Sequence, residues 1–196
     1  DARIERSLEP RPCTMPAPRG DELTVTKLSA SAYEDLRRCP YRFFALRQLR
    51  LQESEELEGE LDKRDFGNWL HTLLKYFHET LKSAPAPGLD ERVAMINASA
   101  QQATTDLGLS ESEFLPFAAA WPGVRQRYLQ WLQEHEATGA VFGVAEAWKE
   151  MPLGRVTLIG KLDRIDHDPA AGMIVIDYKT ESTATTHERI NNPVED

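Results

Sequence analysis

The sequence predicts a mixed α/β fold, a helical N-terminal half feeding a sheet. Three observations carry this. Phe66, Leu70, Leu73, Leu74, Phe77 and Leu81 recur with the 3.6-residue period of an amphipathic helix. Beyond residue 140 the pattern becomes strand-like, in VFGVAEAWKEM (141–151), RVTLIGKLDRID (155–166) and MIVIDYKT (173–180). Short turn segments, Pro152–Gly154 and DHDPAAG (166–172), join these stretches, which favours an antiparallel meander.

The elements follow in order. Residues 1–25 are polar and proline-rich and read as a linker or arm, with an organised domain over 26–196. Ser31 and Glu34 have the spacing of a capping box, which predicts a helix to about Arg38. Pro40 breaks it, and YRFFALRQLRL (41–51) resumes it. Residues 52–62 carry six acids and no base and read as a solvated loop or helix edge. Asp65 or Asn68 caps the next helix, 66–82, which SAPAPG (83–88) ends. A weaker helix covers 89–107. Ser110 and Glu113 open another to about 136, interrupted by Pro116 and Pro122. In the first strand, Phe142, Val144, Glu146 and Trp148 share one side. The third strand, mostly apolar, is expected to be buried.

Composition excludes several classes. The 196 residues carry 23 Lys and Arg against 32 Asp and Glu, a net charge of −9, which argues against coating nucleic acid by bulk charge. Two cysteines, Cys13 and Cys39, make neither a disulfide scaffold nor a four-cysteine metal site, and suggest a reducing, cytoplasmic setting. No apolar run approaches the roughly 20 residues of a membrane span.

The chemistry concentrates in the last two strands. Asp177 and Lys179, two apart, share one strand face, with Tyr178 on the other. Asp163 lies on the preceding strand and approaches Asp177 if the two pair through the 166–172 turn. Two close carboxylates repel, and a hard divalent cation, Mg²⁺ or Mn²⁺, relieves the repulsion. A lysine beside them suits phosphodiester hydrolysis, where it offsets charge on the phosphate. The plainer reading of the same residues is a salt bridge at a strand end, with Asp163 capping a turn. His71, on the rim of the apolar helical stripe, reads either as a cleft residue or as a core-edge histidine. His78 is its rival by spacing.

Four segments in order, LSASAYEDLRRCPYRFFALRQLRL (28–51), GNWLHTLLKYF (67–77), GKLDRID (160–166) and IDYKT (176–180), resemble the RecB/AddB-type branch of the PD-(D/E)XK nuclease superfamily. The resemblance implies a restriction-endonuclease-like core, with a central mixed sheet flanked by helices. It implies a Mg²⁺- or Mn²⁺-dependent DNA exonuclease domain of the helicase–nuclease type, acting on linear or single-stranded ends in repair and recombination, with a helicase domain or subunit as partner. By resemblance His71, Asp163 and Asp177 are metal ligands, the Tyr178 carbonyl joins them, and Lys179 is the catalytic cation. Glu146 matches an acidic position on the preceding strand.

The family departs from this sequence in two places. An AddB-type iron–sulfur cluster needs three further cysteines near the C-terminus. They are absent here, so a cluster is not expected in this chain; Cys39 reads either as a buried packing residue or as a ligand whose partners were removed with the C-terminus. The family's next helix, bearing Q-x-x-x-Y, is expected to begin about where the sequence reaches NNPVED. The domain is therefore expected to lack it, with activity expected of the parent protein.

Local basic character remains in segment 27–50, where Arg37, Arg38, Arg42 and Arg47 are candidates for the DNA backbone, or else a solvated helix face. Two rivals to the enzyme stand. One is an inactive nuclease fold kept for DNA binding or scaffolding. The other is an unrelated α/β binding domain, which requires His71, Asp163, Asp177 and Lys179 to lie far apart.

Overall fold

A computed structural model describes residues 24–51, 63–109 and 111–191. The expectations for residues 1–23, for the acidic stretch 52–62 and for the Ser110–Glu113 cap lie outside the described residues or side chains. The order is β1 (Lys27–Ser29), α1 (Ala30–Arg38), α2 (Pro40–Phe43) running into a π-helical turn at Phe44–Gln48, α3 (Lys63–Lys82), α4 (Leu89–Asp106), α5 (Glu111–Ala137), β2 (Val141–Leu153), β3 (Val156–Asp168), β4 (Gly172–Ile176) and α6 (Thr183–Asn191).

β3 is the spine of one open, mixed four-stranded sheet. β2 pairs antiparallel along its whole length, from Val141↔His167 to Leu153↔Val156. Along the other edge, β1 pairs parallel at one end (Lys27↔Thr157) and β4 antiparallel at the other (Arg164↔Ile176). The meander is therefore β2-β3-β4, and β1 makes the sheet mixed. The β2–β3 hairpin closes over two residues, with Gly154 in the left-handed region at φ 60. Asp168 Oδ1 accepts from Ala170 N and Ala171 N to shape the β3–β4 turn.

Two apolar clusters hold the helices. The larger joins Trp69, Leu73, Leu74 and Phe77 of α3 to Ile96, Ala100 and Ala103 of α4 and to Leu129 and Leu132 of α5. At roughly 1.5–3 kcal/mol for each large side chain fully buried, this cluster dominates the stability of the helical half. The smaller joins Leu28, Ala32 and Phe43, with Val25, Leu36, Val156 and Leu158 packed on it, and seats α1 and α2 on the sheet.

Several local expectations are corrected. Ser29, not Ser31, caps α1, its hydroxyl accepting from Ala32 N at 3.1 Å, because the helix starts directly after β1, two residues earlier than the spacing suggests. Asp65 and Asn68 lie inside α3, which already runs from Lys63, so neither caps it. α5 continues through both prolines. Phe117 stacked on Phe66, with Phe114 tilted and Trp121 edge-on against Trp69, anchors these turns to α3 where the prolines supply no backbone donor. Cys39 is exposed rather than buried, because it is the extended residue between α1 and α2, where its sulfur accepts from Arg42 N. β4 is an edge strand with Met173 and Val175 exposed, not a buried one. The stretch after the D-Y-K motif forms a helix, α6, whose sequence holds neither glutamine nor tyrosine.

Candidate metal centre

α3 and the β2–β3 pair bring three ligand types together. His71 Nδ1 lies 3.3 Å from Glu146 Oε1 and 3.5 Å from Asp163 Oδ1. One donor atom from each of His71, Glu146 and Asp163 falls within 4.8 Å of the others, so the group could hold a metal ion. All three side chains are partly buried, at 28% exposure for the imidazole and 13% for each carboxylate. One nitrogen and two carboxylate oxygens suit a divalent cation.

A bulge aims Glu146. The register slips by one residue between Phe142 and Val144. Phe142 pairs with Asp166, but Val144 pairs with Ile165, so residues after Gly143 move to the opposite sheet face. Glu146 consequently stands opposite Asp163, and the expected grouping of Phe142 with Val144, Glu146 and Trp148 is broken. Gly143 permits this close approach, because a Cβ there would sit 2.8 Å from Ile165 O. Glu146 itself adopts φ 53, a left-handed conformation rare for a side chain of this size.

The D-Y-K segment lies just past β4 rather than within a strand. Tyr178 N donates to Asp163 Oδ2 at 2.7 Å, tying the segment to β3. Lys179 Nζ lies 2.6 Å from Asp177 Oδ2, both half-exposed. Of the plainer reading the terminal salt bridge is present, whereas Asp163 caps no turn: it accepts from Tyr178 fifteen residues on, and Asp168 caps the β3–β4 turn. Burial raises the Asp163 carboxyl pKa above its ordinary value. The Tyr178 N–H and His71 oppose this, and the neighbouring Asp177 adds to it. Lys161 contacts the outer oxygen of Glu146, a contact the sequence reading did not anticipate. A cavity lined by Gly67, Asn68, His71, Thr72, Leu107, Glu146 and Lys161 opens beside the group.

Behind Asp163 lies a buried polar network. Arg164 makes a bidentate pair with Asp166, at 2.7 and 2.6 Å. Its Nη1 donates to His78 Nε2 at 2.7 Å and lies 3.1 Å from the Tyr128 hydroxyl, which meets the Tyr178 hydroxyl at 3.0 Å. His135 Nε2 contacts Asp166 Oδ2 at 2.8 Å. Burial opposes the charge of Arg164, but Asp166 together with Tyr128 and Tyr178 holds the guanidinium pKa up. Burial and the Arg164 charge hold the His78 pKa well below its ordinary value, so its neutral Nε2 accepts. His78, the spacing rival of His71, is committed here and lies outside the metal group. The signal for this network was in G-x-x-D-R-x-D, whose arginine and second aspartate share a strand face.

The four candidate arginines pair with acids. Arg37 and Arg38 hold Glu34, while Arg42 and Arg47 clamp Asp35, at 2.9 and 2.7 Å. Hydrogen bonds from Arg47 and then Arg42 hold the Asp35 pKa below its ordinary value.

The architecture, one open mixed sheet with a helical N-terminal half, is that of a restriction-endonuclease-like fold. The family model of the PD-(D/E)XK nuclease superfamily matches residues 27–194, and the chain belongs to that superfamily. This, with His71 beside Asp163 and the Tyr178 amide on Asp163, sets aside an unrelated binding domain; Asp177, paired with Lys179, lies outside the group of His71, Glu146 and Asp163. No curated protein matches the chain. Among the described residues no helix is long and apolar enough to cross a membrane.

Proposed function

We propose that this chain is a metal-dependent DNA exonuclease domain of the RecB/AddB type, working with a helicase in repair or recombination. His71, Glu146 and Asp163 hold a Mg²⁺ or Mn²⁺ ion, Asp177 and the Tyr178 carbonyl complete its shell, and Lys179 is the catalytic cation. The observation that carries the reading is the convergence of the His71 imidazole with the Glu146 and Asp163 carboxylates, beside the D-Y-K segment. The order of the motifs supports the RecB/AddB branch.

A divalent cation bound there supplies charge to stabilise the phosphate and lowers the pKa of water. The chain's own residues do the rest. Tyr178 N–H fixes the rotamer of Asp163. Lys179, half-exposed beside Asp177, offers its ammonium to the phosphate and orients water against it.

The test is Mn²⁺-dependent nucleotide release from linear against circular DNA, with Asp163→Ala as control, in the chain and in its parent protein. An exonuclease digests only the linear form, and Asp163→Ala abolishes digestion while leaving the fold intact. DNA binding with no release from either form, in chain and parent alike, identifies the inactive scaffold instead.

A further inference from the structure

Trp148 is 70% exposed, against 1% for Trp69 and 36% for Trp131. A large aromatic left in solvent on a strand is informative where an exposed smaller apolar residue is not. Trp148 pairs directly with Lys161, and directly paired residues of antiparallel strands project from the same face with adjacent Cβ atoms. Lys161 in turn reaches the outer oxygen of Glu146. One two-residue step along β3 from Lys161 lies Asp163, a displacement of about 7 Å. The sheet face therefore carries, in sequence, the carboxylate pair, an ammonium half in solvent and an exposed indole.

We infer that Trp148 and Lys161 form a binding step for one unpaired nucleotide next to the scissile phosphate, the indole stacking on the base and the ammonium meeting its phosphate. This rests on the nuclease reading and adds to it the two residues that would hold the nucleotide beside the cleaved bond. The occupant follows from charge and position. Lys161, paired with Glu146 on one side, is still half in solvent and can turn part of its ammonium to a phosphate, the neighbouring group is suited to phosphodiester chemistry, and a duplex would keep its base faces stacked away from the indole. Aromatic stacking accepts any base and contributes about 1–3 kcal/mol for each base.

The test is binding to oligothymidylate, followed by anisotropy of a labelled strand and by intrinsic fluorescence without added metal, so that no cleavage intervenes. Wild type binds with quenched tryptophan emission. Trp148→Ala weakens binding about 5- to 150-fold, the factor corresponding to that stacking energy. Trp148→Phe keeps most of the affinity and loses the quenching. An abasic strand of the same length is insensitive to Trp148→Ala, while Lys161→Met weakens both strands. Equal affinity of wild type and Trp148→Ala for oligothymidylate overturns the inference, and if wild type still digests DNA with Mn²⁺ the nuclease reading stands. A wild type that neither binds nor digests DNA overturns both. Loss of a dimer in sedimentation, rather than of DNA affinity, in Trp148→Ala assigns the indole to self-association and overturns the inference.

Discussion

Asp163 and Arg164 are neighbours on β3, yet their surroundings differ. Asp163 faces Glu146 and Asp177, acids gathered on a partly exposed surface with only His71 and flanking lysines to offset them. Arg164 is 1% exposed and fully partnered by Asp166, His78 and Tyr128. One face of the strand is open, its acids met by His71, Lys161, Lys179 and the Tyr178 N–H where solvent also reaches. The other is closed, its charges paired and only His78 Nδ1 left without a partner among the described residues. Tyr178 joins the two, with its amide on Asp163 and its hydroxyl on Tyr128.

The comparison breaks most severely on the closed side. Arg164→Leu strands a buried Asp166 carboxylate and should cost about 3–5 kcal/mol, read by urea denaturation. A loss below 1 kcal/mol would show that the network is not what holds the sheet to α3 and α5. On the open side, Lys179→Ala should lower turnover about 10²–10³-fold with the denaturation midpoint unchanged. Calorimetric titration with Mn²⁺ should give nearly wild-type affinity, and lost affinity would move Lys179 from charge stabilisation to ligand support. Gly143→Ala attacks the bulge that separates the two faces. Its Cβ meets Ile165 O, so the register must shift, and Mn²⁺ affinity should fall about 10–100-fold, as for other supports of metal ligands.

The smallest effect lies away from both faces, at Asp35. Its folded pKa is depressed, so its contribution is present above the unfolded value and is lost as pH falls through the folded one. Asp35→Asn should lower the melting temperature at pH 7, and the gap to wild type should close in acid, below the ordinary aspartate range. A gap that widens in acid would contradict the clamp formed by Arg42 and Arg47.

The apolar period of α3 was legible because local pattern and burial agree there, and β2 and β3 were legible as strands from their residue types and the turns between them. Motif order pointed to His71 and Asp163, which the fold brings to 3.5 Å, and to Asp177 and Lys179, which it pairs with each other. What escaped depended on long-range pairing. β1 is three residues long and exists only because β3 offers it an edge. The placement of Glu146 depends on one extra residue at Gly143. A glycine inside an alternating strand is a bulge signal, and it stood in the sequence unread. For Arg164 and Asp166, nothing local reveals that α3 and α5 close over them.

The left-handed backbone at Glu146 has a consequence for how this protein can change. Such a conformation costs on the order of 1–3 kcal/mol for a residue with a side chain, and much less for glycine. Any programme selecting only for heat tolerance would drift toward glycine at this position. It would yield a sturdier chain from which one carboxylate of the cation cluster had vanished.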